Sequence, residues 1–271
     1  MKFFNINLSL IAVSFLLLLS SCFTERIDID LNGQENKKVV ITGWLNDMDQ
    51  DQYIQVYYSG DYFNGIIDAI NDAEVTLSYN SETVVLSNTT NGMYLLPSDW
   101  KGEEGTEYTL SVTHEGEEYK AVSLLRFMPE LENIQSVLFT ENDSVSYYEI
   151  YFDFQENPGE GDGYFAIDYL KDSDQKNIIR TGGWTDDEFA DGEYLEQVTV
   201  TQNNHQLGDT IILEAHSIGK EATEYFYSID SEIFREGLLD PPPVNVPTNF
   251  SNGAVGYFLT SGKRKYEVIV E

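Results

Sequence analysis

The sequence has a single cysteine, Cys22, among its 271 residues. One cysteine cannot form a disulfide within the chain, and it excludes zinc sites built from several thiolates. The three histidines, His114, His205 and His216, share no short ligand spacing such as HxH or HExxH. The sequence also lacks a GxSxG motif, a P-loop and a dinucleotide-binding glycine pattern. We therefore expect a non-enzymatic protein without a cofactor; a surface hydrolase with dispersed carboxylates remains an alternative.

Basic residues are scarce: 15 lysines and arginines face 47 aspartates and glutamates, for a formal net charge of −32. Nucleic-acid binding requires clustered positive charge, so this acidic composition argues against nucleic acid as a partner. The one basic cluster, Lys263-Arg264-Lys265, is interpreted either as protection for an edge strand or as a partner of nearby acids. Hydrophobic residues at 41% and aromatic residues at 13% are too frequent for a disordered acidic tail.

Long hydrophobic runs are missing after the N-terminus. Residues 8–19 form one nearly unbroken apolar run, which has the length of a signal-peptide core and is short for a transmembrane helix. The run ends in Leu19-Ser20-Ser21-Cys22, which resembles the lipobox of bacterial lipoproteins. That resemblance implies a signal peptide at 1–21, an N-terminal lipid anchor on Cys22 and a flexible tether at 22–38. The alternatives are an ordinary signal peptide with a chance cysteine and a single-pass anchor.

Alternating apolar residues dominate the first half of the chain after the tether. Ile54, Val56 and Tyr58 illustrate this period of two, which is typical of strands with one buried face. Glu115-Gly116 has the composition of a tight hairpin turn. Short strands between such turns predict an immunoglobulin-like antiparallel β-sandwich at 39–127.

A proline-containing stretch at 126–132 separates this sandwich from a second β-rich domain predicted at 133–271. One short helix is predicted near 220–235, because Ala222, Phe226 and other apolar residues there share one helical face. The predicted fold class is therefore all-β, with two β-rich parts and one helix.

Several stretches, taken in order, carry a family resemblance. They are VVITGWL at 39–45, AEVTL at 73–77, GMYL at 92–95, GTEYTL at 105–110, GEEY at 116–119, GDT at 208–210, SIGKEA at 217–222 and PPPVNVPTNFSNGAVGYF at 241–258. Together they resemble the Bacteroidota outer-membrane lipoproteins catalogued as domain of unknown function 4249. The resemblance implies a lipid-anchored position on the outer membrane at the cell surface, and an accessory role beside a TonB-dependent transporter. It brings no catalytic residues with it.

Two sets of residues are candidate sites. The aromatic set is Tyr57, Tyr58, Tyr62 and Phe63, the densest cluster in a chain with 18 tyrosines. Aromatic faces in β-sandwich grooves can stack on ligands, so the alternative to an accessory role is a direct glycan- or peptide-binding module. The competing interpretation is that tyrosine simply suits half-buried strands.

The acidic set is Asp47, Asp49 and Asp51, whose alternating carboxylates suggest a structural calcium site. Gln52 stands where an EF-hand needs glycine, so an EF-hand is excluded. A solvated acidic loop without metal is the alternative.

Overall fold

The structure is a computed structural model that describes residues 37–60, 67–142, 145–159, 161–172, 182–188, 190–200, 204–233 and 245–271. The predicted signal peptide, Cys22 and most of the predicted tether lie outside these ranges. None of the helices described is long and apolar enough to cross a membrane. The predicted all-β fold class with one short helix is confirmed.

Fifteen strands and one helix are formed within the described ranges. They are β1 (Val39–Asn46), β2 (Tyr53–Tyr58), β3 (Glu74–Tyr79), β4 (Glu82–Val85), β5 (Ser87–Asn88), β6 (Met93–Leu95), β7 (Glu107–His114), β8 (Glu117–Leu124), β9 (Glu132–Asn142), β10 (Val145–Gln155), β11 (Asp162–Leu170), β12 (Gly182–Asp186), β13 (Tyr194–Thr199), β14 (Thr210–Gly219), α1 (Lys220–Ile233) and β15 (Phe258–Ile269). The predicted hairpin turn is confirmed: Glu115 and Gly116 both adopt positive φ between the paired strands β7 and β8.

An eight-stranded sheet in the order β12-β11-β14-β15-β1-β2-β6-β5 forms the centre of the protein. β15 pairs antiparallel with β14 and parallel with β1, so the last of the described strands lies beside the first. A parallel pair needs a long connection, and here nearly the whole described chain provides it. Both predicted halves therefore contribute strands to one sheet.

Two smaller sheets cover one face of this central sheet, which we call the inner face. Strand alternation sends Ile41, Ile54 and Phe258 into a core with the sheet β4-β3-β7-β8. Further along, Ile211 and Leu213 of β14 pack in a second core with the sheet β13-β10-β9. The inner face thus explains most of the alternating apolar pattern.

The opposite, outer face of the central sheet carries α1. The helix starts directly after β14, at Lys220, and ends in the described structure at Ile233, in agreement with the predicted position near 220–235. Ala222 and Phe226 lie four residues apart, and they pack in a third core with Phe165 of β11. The helix spans only part of the outer face, and a pocket lies beside it.

Candidate functional site

The pocket on the outer face has a volume of about 360 Å³. Its floor is formed by β1, β11, β14 and β15, and one wall by Tyr225 and Phe226 of α1. Residues 50–53, which lead into β2, form another part of its lining. Because all its floor strands are consecutive in one sheet, the floor is set by the register of the sheet.

Charged residues on the floor form a buried ion pair. The Nζ atom of Lys263 lies 3.1 Å from Oε2 of Glu214, and the two side chains are 4% and 2% exposed. The register pairs Glu214 with Lys265, whose Nζ atom is 3.8 Å from Oε1 of Glu214. Tyr169 of β11 donates its hydroxyl to the same Oε1 atom over 2.8 Å. Burial, followed by this hydrogen bond to Glu214, raises the pKa of Tyr169. The Glu214 carboxylate is thereby held by three side chains.

A second polar cluster on the outer face centres on the buried hydroxyl of Ser261. Trp44 Nε1 donates to Ser261 Oγ over 2.7 Å, and Nδ1 of His216 lies 3.0 Å from the same oxygen. Because an indole N–H can only donate, the Ser261 oxygen accepts there, and its own hydrogen is available to His216 Nδ1. The Trp44 and His216 rings also pack with their centroids 4.7 Å apart. Ser261 therefore fixes two rings that line the pocket.

Two tyrosines stack on the wall of the pocket. The rings of Tyr225 and Tyr257 have centroids 4.6 Å apart and an interplanar angle of 29°. Burial raises the pKa of Tyr257 to about 12, and the carboxylates of Glu221 and Glu224 add to this shift. Burial also raises the pKa of Tyr225. Both phenols remain neutral donors at ordinary pH.

The loop between β1 and β2 is braced by two buried amides. Gln52 Oε1 accepts from the Asn46 N–H over 2.6 Å, and Gln52 Nε2 donates to the carbonyl oxygens of Asn46 and Met48. Asn46 Oδ1 in turn accepts from the Met48 N–H over 3.0 Å. These bonds position Gln50 and Asp51, which belong to the pocket lining.

A family match covers almost the whole chain. The family described as Domain of unknown function (DUF4249) matches residues 24–267. The chain belongs to the DUF4249 family. No curated protein matches this DUF4249 chain. Among solved structures, a cytokine receptor complex is similar at 10% identity and a TM-score of 0.25, over 67% of this chain and 85% of that one. A likeness of that strength carries no argument.

The predicted aromatic set is divided by strand alternation in this DUF4249 chain. Tyr57 points to the outer face, where its phenol bonds to Thr42 of the pocket lining. Tyr58 points to the inner face, and its hydroxyl lies 2.8 Å from His114 Nε2. Tyr62 and Phe63 lie outside the described residues. Only Tyr57 of the described pair is therefore near the pocket.

In the predicted acidic set, Asp47 and Asp49 contact basic residues. Asp47 Oδ1 accepts from the Lys263 N–H over 2.8 Å, and Oδ2 lies 3.4 Å from Arg264 Nη1. Asp49 lies 3.5 Å from Lys101 Nζ, and Asp51 is exposed at the pocket. Within the described ranges, no group of three or more His, Cys, Asp or Glu side chains is placed to hold a metal ion. Calcium binding stays a prediction.

The basic cluster lies on β15, where this strand pairs with β14. β15 pairs with β1 only as far as Ser261, so the cluster is paired with β14 alone and the edge-strand interpretation stays a prediction. The alternative, pairing with nearby acids, is confirmed for Lys263, as above, and for Arg264, which contacts Asp47, Glu104 and Glu130. Sequence reasoning did not select Trp44, Glu214 or His216. A signal existed in Glu214 and His216, which interrupt an apolar strand at alternate positions.

Proposed function

We propose that this DUF4249 chain is a non-catalytic binding protein that holds a small ligand in the outer-face pocket. The observation that carries the proposal is the pocket itself, a preformed cavity with aromatic walls and a fully partnered charged floor. Ligand sites in proteins commonly combine apolar walls with a few fixed polar groups in cavities of about this size. The floor groups are held by one another, so they keep their positions before any ligand enters.

Three polar residues away from the pocket form a chain of contacts. Tyr58, His114 and Asp72 form a chain in which His114 Nδ1 lies 3.3 Å from Asp72 Oδ1. Burial, with the nearby carboxylates of Glu115 and Asp72, raises the pKa of Tyr58. We assign this chain of contacts to the stability of the sandwich.

Native mass spectrometry tests the binding role without assuming the chemistry of the ligand. The purified full chain is incubated with the small-molecule fraction of yeast extract, and bound species appear as added mass. Gln55 lines the pocket and is partly exposed, so Gln55→Trp fills the cavity. The matched control is Gln135→Trp, at an exposed position on β9. We expect adducts on the parent and the control but not on Gln55→Trp. Equal adducts on all three proteins, or none on the parent, would reject the proposal.

The second candidate function is that of a lipid-anchored accessory subunit of a TonB-dependent transporter at the outer membrane. It is favoured by the lipobox at Cys22 and by the family to which the chain belongs. Cys22→Ala is expected to abolish lipid labelling and membrane fractionation. Affinity purification of a tagged full chain in mild detergent is expected to recover a barrel transporter. Membrane retention of Cys22→Ala contradicts the anchor, and purification of the chain alone contradicts the partner.

A further inference from the structure

We infer that the ligand of the outer-face pocket is a neutral sugar ring, such as the terminal residue of a glycan. The inference rests on the proposed binding function and names its ligand class. It depends on the kinds of hydrogen-bonding groups that line the pocket, on the position of the pocket within the sheet and on the charge of the chain.

The walls contain polar side chains that make no side-chain hydrogen bond within the described part of the chain. Tyr225, Tyr257 and Gln55 line the pocket, and no side-chain hydrogen bond joins any of them to another described residue. A phenol donates and accepts, and an amide presents both functions side by side. A ligand that carries several hydroxyl groups satisfies such a mixed lining, whereas an apolar ligand leaves it unsatisfied.

The floor adds a donor and an acceptor in adjacent positions. The Lys263 ammonium donates, the Glu214 carboxylate accepts, and the two atoms lie 3.1 Å apart. An ammonium has three donors and a carboxylate about four acceptor sites, so both groups can also bond to neighbouring sugar hydroxyls while their ion pair stays intact. The stacked pair of Tyr225 and Tyr257 supplies aromatic surface for the C–H face of the same ring.

The position of the pocket disfavours a peptide as the ligand. Extended peptides commonly bind by adding a strand to a free sheet edge. Of the floor strands, β14 is paired on both sides over Ile211–Ser217, so its backbone groups there are already used. A cavity of about 360 Å³ also fits one ring more readily than an extended chain.

The charge of the chain disfavours an acidic sugar. The net charge is −32, and Glu221 and Glu224 lie close enough to Tyr257 to raise its pKa. A chain of this charge repels anions over distances of about a Debye length. A neutral sugar approaches the pocket without this repulsion.

Saturation-transfer NMR with the full chain in detergent tests the inference. The probes are the methyl glycosides of the common neutral hexoses, pentoses, 6-deoxyhexoses and N-acetylhexosamines, together with a mixture of short peptides. The pocket variant is Tyr225→Phe, which removes one hydroxyl and keeps the ring. The matched control is Tyr227→Phe on the same helix, because Tyr227 is exposed and lies outside the pocket lining.

We expect at least one glycoside to bind the parent protein and the control equally. Loss of one hydrogen bond should weaken its binding to Tyr225→Phe about three- to tenfold, and Gln55→Trp should abolish it. Glycoside signals that survive Gln55→Trp unchanged overturn the pocket as the sugar site. If no glycoside binds, the sugar inference is overturned. In that case the binding function still stands if the parent protein shows mass adducts or peptide signals that Gln55→Trp abolishes. If the parent shows neither, the sugar inference and the binding function are both rejected.

Discussion

Lys263 and Glu214 form an ion pair of 3.1 Å on neighbouring strands, with both side chains almost completely buried beneath the pocket. Their order in the sequence gives no sign of this, since 49 residues separate them. The pair matters for folding as well as for binding, because two charges that have left water depend on each other.

Removing one partner of this ion pair should therefore destabilise the protein strongly. Glu214→Gln or Lys263→Met alone is expected to cost about 3–5 kcal/mol, because the remaining charge stays buried. The double variant should cost clearly less than the sum of the two. Urea unfolding of all four proteins measures this coupling, and additive losses would contradict a direct interaction.

Ser261→Ala should disturb both rings that share its hydroxyl. The substitution removes the oxygen that accepts from the indole N–H of Trp44 and that lies 3.0 Å from Nδ1 of His216, at an expected cost of about 1–3 kcal/mol. Ser231→Ala, on the exposed side of α1, serves as the control and should be close to neutral. Thermal unfolding followed by circular dichroism compares the two. An unchanged melting temperature for Ser261→Ala would mean that the hydroxyl holds neither ring.

Two glycines just before β15 allow two costs of an alanine substitution to be compared: the strain of a left-handed backbone and the clash of an added Cβ atom. Gly253 has a φ of 77°, and a Cβ atom at this position would meet only open space, so Gly253→Ala should cost about 1–2 kcal/mol for the left-handed conformation alone. Gly256 has a φ of 101°, and a Cβ there would overlap the backbone oxygen of Ile41. Gly256→Ala should therefore cost about 3 kcal/mol or more. Equal losses in urea unfolding would show that this close contact does not constrain the loop.

Alkaline pH should weaken the fold through Tyr257. Its pKa is raised to about 12 in the folded state, so the folded protein binds the phenolic proton more tightly than the unfolded chain does. This contribution is complete below about pH 10, where an unfolded tyrosine starts to ionise, and it is lost as the pH rises towards about 12.

The measurement compares urea midpoints at about pH 9 and about pH 11. Tyr257→Phe should show a smaller decrease than the parent protein, because it has no phenol to ionise at this position. Tyr227→Phe, on the exposed side of α1, should decrease as the parent does. If the urea midpoint decreased equally in all three proteins, ionisation of Tyr257 would not contribute to the loss of stability at alkaline pH.

Local patterns predicted the elements of the fold well. The alternation of Ile54 and Val56 identifies β2, the Glu115-Gly116 turn identifies the hairpin of β7 and β8, and the spacing of Ala222 and Phe226 identifies α1. Each of these signals lies within a few residues, where the period of the backbone decides which side chains share a face.

The pocket could not be predicted in the same way. Its polar cluster requires Trp44 of β1 to meet Ser261 of β15, 217 residues away. The adjacent residues Tyr57 and Tyr58 indicated the position of the pocket only in part, because neighbouring residues of a strand point to opposite faces of the sheet. A dense cluster in the sequence was therefore divided by the sheet.

The sequence by itself determined the acidic composition, the β period and the helix, since each depends on residue type and short-range spacing. Only the tertiary structure decided that β15 lies between β14 and β1, and that the basic cluster pairs with β14 and meets Glu214 and Asp47. Strand pairing depends on the combined packing of distant segments, which no local period encodes. That pairing placed Lys263 over Glu214 and Ser261 beside Trp44, and so created the pocket.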